Sequence, residues 1–115
     1  MNDEKPFIGI VGPCKAGKTT LAQNLIKRGF RARQIVQEHS FVPSMWQKIT
    51  NPDLLVYLDI SYKKTLTRGG MKWREHEYHK QLTRLDHARQ HAQIYIHTDD
   101  LSPEQTLEKV IDSLK

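Results

Sequence analysis

The chain has 115 residues, 37% of them hydrophobic and 27% charged, with a formal net charge of +5 at pH 7. That length supports one modest core and excludes a multidomain enzyme, and a single cysteine, Cys14, excludes an internal disulfide. No apolar run reaches the roughly 18 residues of a membrane span, and the polar start Met1-Asn2-Asp3-Glu4-Lys5 is unlike a signal peptide, so a soluble cytoplasmic protein with no membrane partner is expected.

Phe7-Ile8-Gly9-Ile10-Val11 is a short apolar run of the kind that forms a strand buried on both faces. From Gly17 the pattern turns helical, with Leu21, Ala22, Leu25 and Ile26 on one side and Gly29 as the stop. Residues 33–38 form a weaker strand candidate, and Pro43 suits the start of a short helix reaching Thr50. After Asn51-Pro52, residues 53–60 are a continuous hydrophobic strand expected at the centre of a parallel sheet. A short helix following Ser61 should end at Gly69-Gly70, and a long one should run from Trp73 to about Ala92. Ile94-Tyr95-Ile96 is a last short strand. Ser102-Pro103-Glu104-Gln105 combines an N-cap serine, a proline at the first helical position and a capping-box glutamine, opening a helix to Leu114.

Strands alternating with helices predict an α/β fold in three layers, a mainly parallel sheet of four to five strands with helices on both faces. Residues 1–115 read as one minimal domain, with a flexible tail at 1–5 and a lid-like basic helical region at 68–91. Positive charge is concentrated in two blocks. Residues 15–33 hold six Lys/Arg and no acid, and residues 61–91 hold eight against Glu75, Glu77 and Asp86.

Gly12-Pro13-Cys14-Lys15-Ala16-Gly17-Lys18-Thr19 fits the pattern G-x-x-x-x-G-K-S/T between a predicted strand and a predicted helix. Glycines allow such a loop to turn its N–H groups inward, where they and the helix N-terminus hold phosphates. Gly12 through Thr20 are therefore the candidate nucleotide-binding residues, with Lys18 directed at the β- and γ-phosphates and Thr19 at Mg²⁺. Cys14 is read as a small inert loop residue in preference to a reactive thiol.

These residues resemble the P-loop NTPase superfamily. No Asn/Thr-Lys-x-Asp element for guanine recognition follows residues 54–60, which argues against a GTPase. Three segments are similar to nucleoside and nucleotide kinases, the deoxynucleoside kinase and thymidylate kinase branch. Glu38-His39-Ser40 resembles their Glu-Arg-Ser element, Pro52 to Ile60 their Pro-Asp-Leu-hydrophobic-Tyr-Leu-Asp strand, and Arg68 through Arg74 their arginine-bearing lid. The chain departs from them in carrying His39 for the arginine and in its short connection between the first helix and Glu38.

The resemblance implies Mg-ATP as cofactor and phosphoryl transfer to a small acceptor such as a nucleoside or nucleotide. Lys18, Glu38, Arg68 and Arg74 are then the catalytic candidates. Glu38 and Asp59 both end apolar runs and both are metal candidates with Thr19. Pattern favours Asp59, whereas the resemblance favours Glu38. At 100° per residue, Tyr78, Leu82, Leu85 and Ala92 share a stripe of the long helix. Arg74 and Arg89 project with that stripe, while Lys80, Arg84, His87 and His91 form an opposite, solvated face. Inward-leaning arginines seek phosphates or an internal salt bridge.

His76 with His79 and His87 with His91 have metal-ligand spacing, but no cysteine or carboxylate cluster completes a zinc site there. Phe41 and Trp46 are read as core before base-stacking residues. Two other functions compete: a nucleotide-binding, slowly ATP-hydrolysing regulatory module without an acceptor, and, ranked last, a nucleic-acid binder using the basic helix. The acceptor, ATP against GTP, and a homodimer stay open at this level.

Overall fold

A computed structural model describes residues 5–115, so the tail expected at 1–5 falls mainly outside the described residues. Four strands, β1 (Phe7–Val11), β2 (Arg31–Gln34), β3 (Leu54–Asp59) and β4 (Ile94–His97), form one sheet in the order β2-β1-β3-β4. Every pairing is parallel, with Phe7 opposite Arg31, Ile8 opposite Leu54 and Val56 opposite Ile94. The two apolar runs occupy the central positions, where both faces are covered. The edge strands alternate instead: Arg31 and Arg33 are exposed on β2, and Ile94 and Ile96 are buried between exposed Tyr95 and His97 on β4.

Helix α1 (Lys18–Lys27) and helix α4 (Pro103–Ser113) cover one face, packing Leu21, Leu25, Leu107 and Val110 on Ile8, Ile10, Val56 and Leu58. On the opposite face Leu85 and Ala88 of helix α3 (Glu75–His91), with Trp46, pack on Val11, Leu55 and Tyr57. Helix α2 (Tyr62–Arg68) follows β3, with Ser61 as its N-cap accepting from Lys64 N. No helix among the described residues is long and apolar enough to cross a membrane.

The terminal helix starts as its residues dictate. Ser102 Oγ accepts from Gln105 N (3.1 Å) and Gln105 Oε1 from Ser102 N (2.8 Å), a reciprocal capping box. Gly29, at φ 88°, closes α1 as expected, while Ile26, expected on the inward side, is 55% exposed.

Three expectations are corrected. The second strand lies at 31–34, not 33–38, and Glu38 sits on a 3₁₀ turn, Gln37–His39. Pro43 to Thr50 forms a turn followed by a π-helical turn, Trp46–Thr50, in place of an ordinary short helix. On α3 the inward seam is Tyr78, Gln81, Leu85 and Ala88. That seam rotates the helix from its expected phase, so Arg84 and His87 are half-buried while Arg74 and Arg89 are exposed. A glutamine that hydrogen-bonds inward, invisible to a purely apolar count, sets this phase.

Gly12 ends β1 where the backbone of β3 leaves no room, since a Cβ there would lie 2.2 Å from the Leu58 carbonyl oxygen. Gly12→Ala is expected to destabilise the protein by about 1–3 kcal/mol through overpacking, read as a lowered urea midpoint at unchanged m-value.

Candidate functional site

In a parallel sheet the carboxyl ends of the strands share one edge, and the loops that leave it gather there. The segment after β1 turns through Lys15 and Gly17, at φ 70° and 98°, before α1 begins at Lys18. Among the described residues Lys15 is one of two non-glycine residues in this left-handed region, so the loop rather than residue preference dictates its backbone. Pro13, Ala16 and Lys18 are buried, whereas Lys15, Gly17, Thr19 and Thr20 face solvent.

Lys18 is 6% exposed and its ammonium has three partners: Gly12 O at 2.8 Å, Pro13 O at 3.1 Å and Glu38 Oε2 at 2.9 Å. Three donors meet three acceptors, the condition for burying an ammonium. Glu38 is 3% exposed, and its Oε1 is the one buried side-chain polar atom among the described residues with no hydrogen-bond partner. The 3₁₀ turn bearing it is held from α3, because Arg84 Nη1 donates to Glu38 O (3.3 Å) and Gln37 Nε2 to Arg84 O (3.1 Å).

Sequence reasoning missed Gln81. Buried on α3, it accepts from Cys14 N–H (3.0 Å) and donates through Nε2 to Cys14 Sγ (3.1 Å). One side chain thus fixes both backbone and thiol of the loop. No periodicity marks such a residue; only its polarity within an apolar stripe could have drawn notice. Arg84, expected in solvent, also lies over the exposed Phe41 ring at 4.6 Å, so Phe41 is not core, whereas Trp46 is.

The structure brings Glu38 to Lys18 and gives Asp59 other partners. Asp59 Oδ2 accepts from the Tyr95 hydroxyl and lies 3.5 Å from His97 Nδ1, while Oδ1 accepts from Ile60 N (2.9 Å). Arg68 reaches the loop: its guanidinium donates to Thr98 O (2.6 Å), Thr98 Oγ1 (3.1 Å) and Lys15 O (3.4 Å). Arg74 is the exposed N-cap of α3 and forms no ion pair among the described residues. The basic region at 68–91 therefore divides into a connecting segment, 69–74, and a helix packed on the sheet.

Aromatic residues anchor that segment. Tyr62 Oη donates to Trp73 O (2.6 Å), Trp73 Nε1 to Thr65 Oγ1 (2.8 Å), and Tyr78 Oη to Ile60 O (2.6 Å). Two hollows flank the loop. One of about 600 Å³ is lined by Cys14, Lys18, Thr19, Gln34, Glu38 and Met71. A narrower cleft of about 250 Å³ lies between Ala16, Gly17, Thr20 and Leu21 on one side and Arg68, Leu101, Pro103 and Thr106 on the other.

A phosphate-sized anion at the loop would meet amides, the α1 N-terminus and Lys18, with a carboxylate behind. A family model described as an AAA domain matches residues 8–98, which span the loop, the whole sheet and the residues around Lys18. A search among curated proteins finds no match.

Removing one partner of the buried pair strands the other. Lys18→Met should cost about 3–5 kcal/mol, and Lys18→Met with Glu38→Leu should recover most of it, measured as a double-mutant cycle by urea unfolding. The Tyr78 hydroxyl is pushed up from 10 to about 12, first by burial and then by the charges of Asp59, Asp99 and Glu75. Burial likewise raises Tyr95, to about 12, and Tyr57. A raised hydroxyl stays neutral in the folded chain while the unfolded chain ionises, so stability is full below pH 10 and falls as pH rises from 10 to about 12. Tyr78→Phe should make that fall shallower in unfolding curves collected across this window.

Proposed function

The chain belongs to the AAA domain family, a P-loop NTPase family related to small kinases, and from that premise we propose that it binds Mg-ATP and transfers the γ-phosphoryl group to a small acceptor such as a nucleoside or nucleotide. The observation that carries this reading is the buried Lys18–Glu38 pair at 2.9 Å, which aligns a carboxylate with the lysine of the phosphate loop. A nucleotide draws the ammonium from Gly12 O and Pro13 O onto its β- and γ-phosphates. Glu38 is then freed to orient an acceptor hydroxyl and take its proton in the 600 Å³ hollow.

Thr19 and Glu38 are oxygen donors beside the lysine, a donor set that fits Mg²⁺. Bound there, the ion would supply charge neutralisation on the phosphates. The cleft between Ala16, Leu21, Leu101 and Pro103 is apolar enough to take the base, with Arg68 at its rim. Arg68 already faces the loop. Arg74, across the Gly69-Gly70 pair, closes on the transferred group when the connecting segment moves.

One observation favours a second reading, a binding or slowly hydrolysing module without an acceptor. Among the described residues, only Gln34, Glu38 and Met71 join the loop in lining the larger hollow, which stays open to solvent. The two readings separate in one experiment. At 100 times its dissociation constant Mg-ATP should stabilise the wild type by about 2.7 kcal/mol, or about 10 °C, and leave Lys18→Ala unshifted. With labelled ATP and a panel of nucleosides and monophosphates, the kinase reading expects a labelled acceptor and about 10²–10⁴-fold less of it per unit time from Glu38→Gln. Label appearing only as inorganic phosphate would move the assignment to the module.

A further inference from the structure

The loop and the 3₁₀ turn meet through three side chains that phosphate binding does not require together. Cys14, Glu38 and His39 each place one ligating atom within 4.8 Å of the others. Cys14 Sγ lies 3.8 Å from His39 Nε2, which lies 3.9 Å from Glu38 Oε2. With zinc–ligand bonds of about 2.0–2.3 Å, tetrahedral ligand–ligand edges run at about 3.3–3.7 Å. The two edges that meet at His39 are thus longer than coordination distance by at most about half an ångström, and the Cys14–Glu38 edge lies within 4.8 Å.

We propose that Cys14, Glu38 and His39 form a site for a zinc-class divalent cation at the mouth of the phosphate loop, with water in the fourth position. A second observation points to a ligand here: Glu38 is buried yet its Oε1 lacks a partner, so the carboxylate keeps unused acceptor capacity beside Oε2, the oxygen that holds Lys18 and stands nearest His39. The outer contacts suit a metal site as well. Gln81 Nε2 donates to the sulfur and so orients it, and Arg84 holds the Glu38 carbonyl and so the turn that carries two of the ligands. Binding converts the thiol to thiolate, releasing one proton to solvent. Thiolate and carboxylate then offset the dication, leaving Lys18 beside a locally neutral group.

Chemistry separates this site from the Mg²⁺ site above. Sulfur and imidazole are donors that Mg²⁺ declines and zinc-class ions take. The exposed His39 side chain and half-buried Cys14 leave an approach from solvent. A cation here ties the loop to the 3₁₀ turn and occupies the carboxylate that phosphoryl transfer uses, so it acts as a brake; that consequence alone rests on the kinase reading.

The test is a titration of the full chain, reduced and nucleotide-free, with Co²⁺ as an optical stand-in for Zn²⁺. Expected are one equivalent bound, a thiolate-to-cobalt charge-transfer band in the near ultraviolet, tetrahedral bands in the visible, and displacement of all of them by Zn²⁺. Cys14→Ser should abolish the charge-transfer band, and His39→Ala should weaken binding by about tenfold or more. His79→Ala, in the exposed Glu75–His79 pair, should change nothing and serves as the control for casual surface binding. Because His39 is exposed, its variant should keep the wild-type melting temperature and decides the matter even if Cys14→Ser fails to fold. Absence of the charge-transfer band in the wild type, or equal Co²⁺ affinity in wild type and His39→Ala, would overturn the proposal. The readout needs no ATP, so it stands or falls apart from the kinase reading.

Discussion

Burying the Lys18 ammonium is the constraint around which the rest of the site is arranged. An unpaired ammonium in this position would lose several kcal/mol of hydration, and the fold offsets that with two carbonyls of its own loop and one carboxylate from another segment. Supplying the carbonyls requires the chain to curl from Gly12 to Gly17 so that Gly12 O and Pro13 O point inward, which in turn demands left-handed backbone at Lys15 and Gly17. Supplying the carboxylate requires the chain after β2 to leave the sheet at once and present Glu38 from a tight turn. Loop shape and strand ending are therefore two parts of one electrostatic solution.

Topology makes that solution available. With β1 and β3 central and every strand parallel, the phosphate loop, the Glu38 turn, the start of α2 and the Thr98-Asp99 corner emerge on one edge. The helix that closes the far face then takes on a second task. Along α3, Leu85 and Ala88 supply ordinary core packing, and one turn before each of them Gln81 and Arg84 hold the loop and the 3₁₀ turn. Rigid packing is thereby transmitted to the loop after β1 and the Glu38 turn, irregular segments that would otherwise be among the least constrained parts of the molecule.

Much of the architecture was legible because it rests on local rules. The apolar runs at 7–11 and 53–60, Gly29 after α1, and the Ser102 capping box each specify their element without reference to anything distant. The G-x-x-x-x-G-K-T pattern marked the loop for the same reason: its geometry is encoded in consecutive residues. What was not legible depends on partners far along the chain. Glu38 could not be seen as a buried partner of Lys18 from a strand pattern that in fact ends four residues earlier. The phase of α3 misled because Gln81 and Arg84 turn inward for hydrogen bonds, and a hydrophobic count assigns polar residues outward. His39, set aside as a departure from an arginine, acquires neighbours only when the loop folds against its turn.

The contrast between Glu38 and Asp59 shows how a fold assigns different work to similar carboxylates. Both follow hydrophobic segments and both lie at the same edge of the sheet, and pattern by itself favours Asp59. Their neighbours separate them. Asp59 is shared among the Tyr95 hydroxyl, the His97 ring and the Ile60 amide, which leaves it a structural tie between β3 and β4. Glu38 has the Lys18 ammonium on one oxygen and no partner on the other, inside a site that also holds a thiol. A carboxylate whose hydrogen bonds are complete can stabilise but has little to give a ligand, whereas one left half-satisfied at a buried position retains free energy for binding. Glu38 is the carboxylate to which an incoming ligand has most to offer, an asymmetry that the motif alone does not contain.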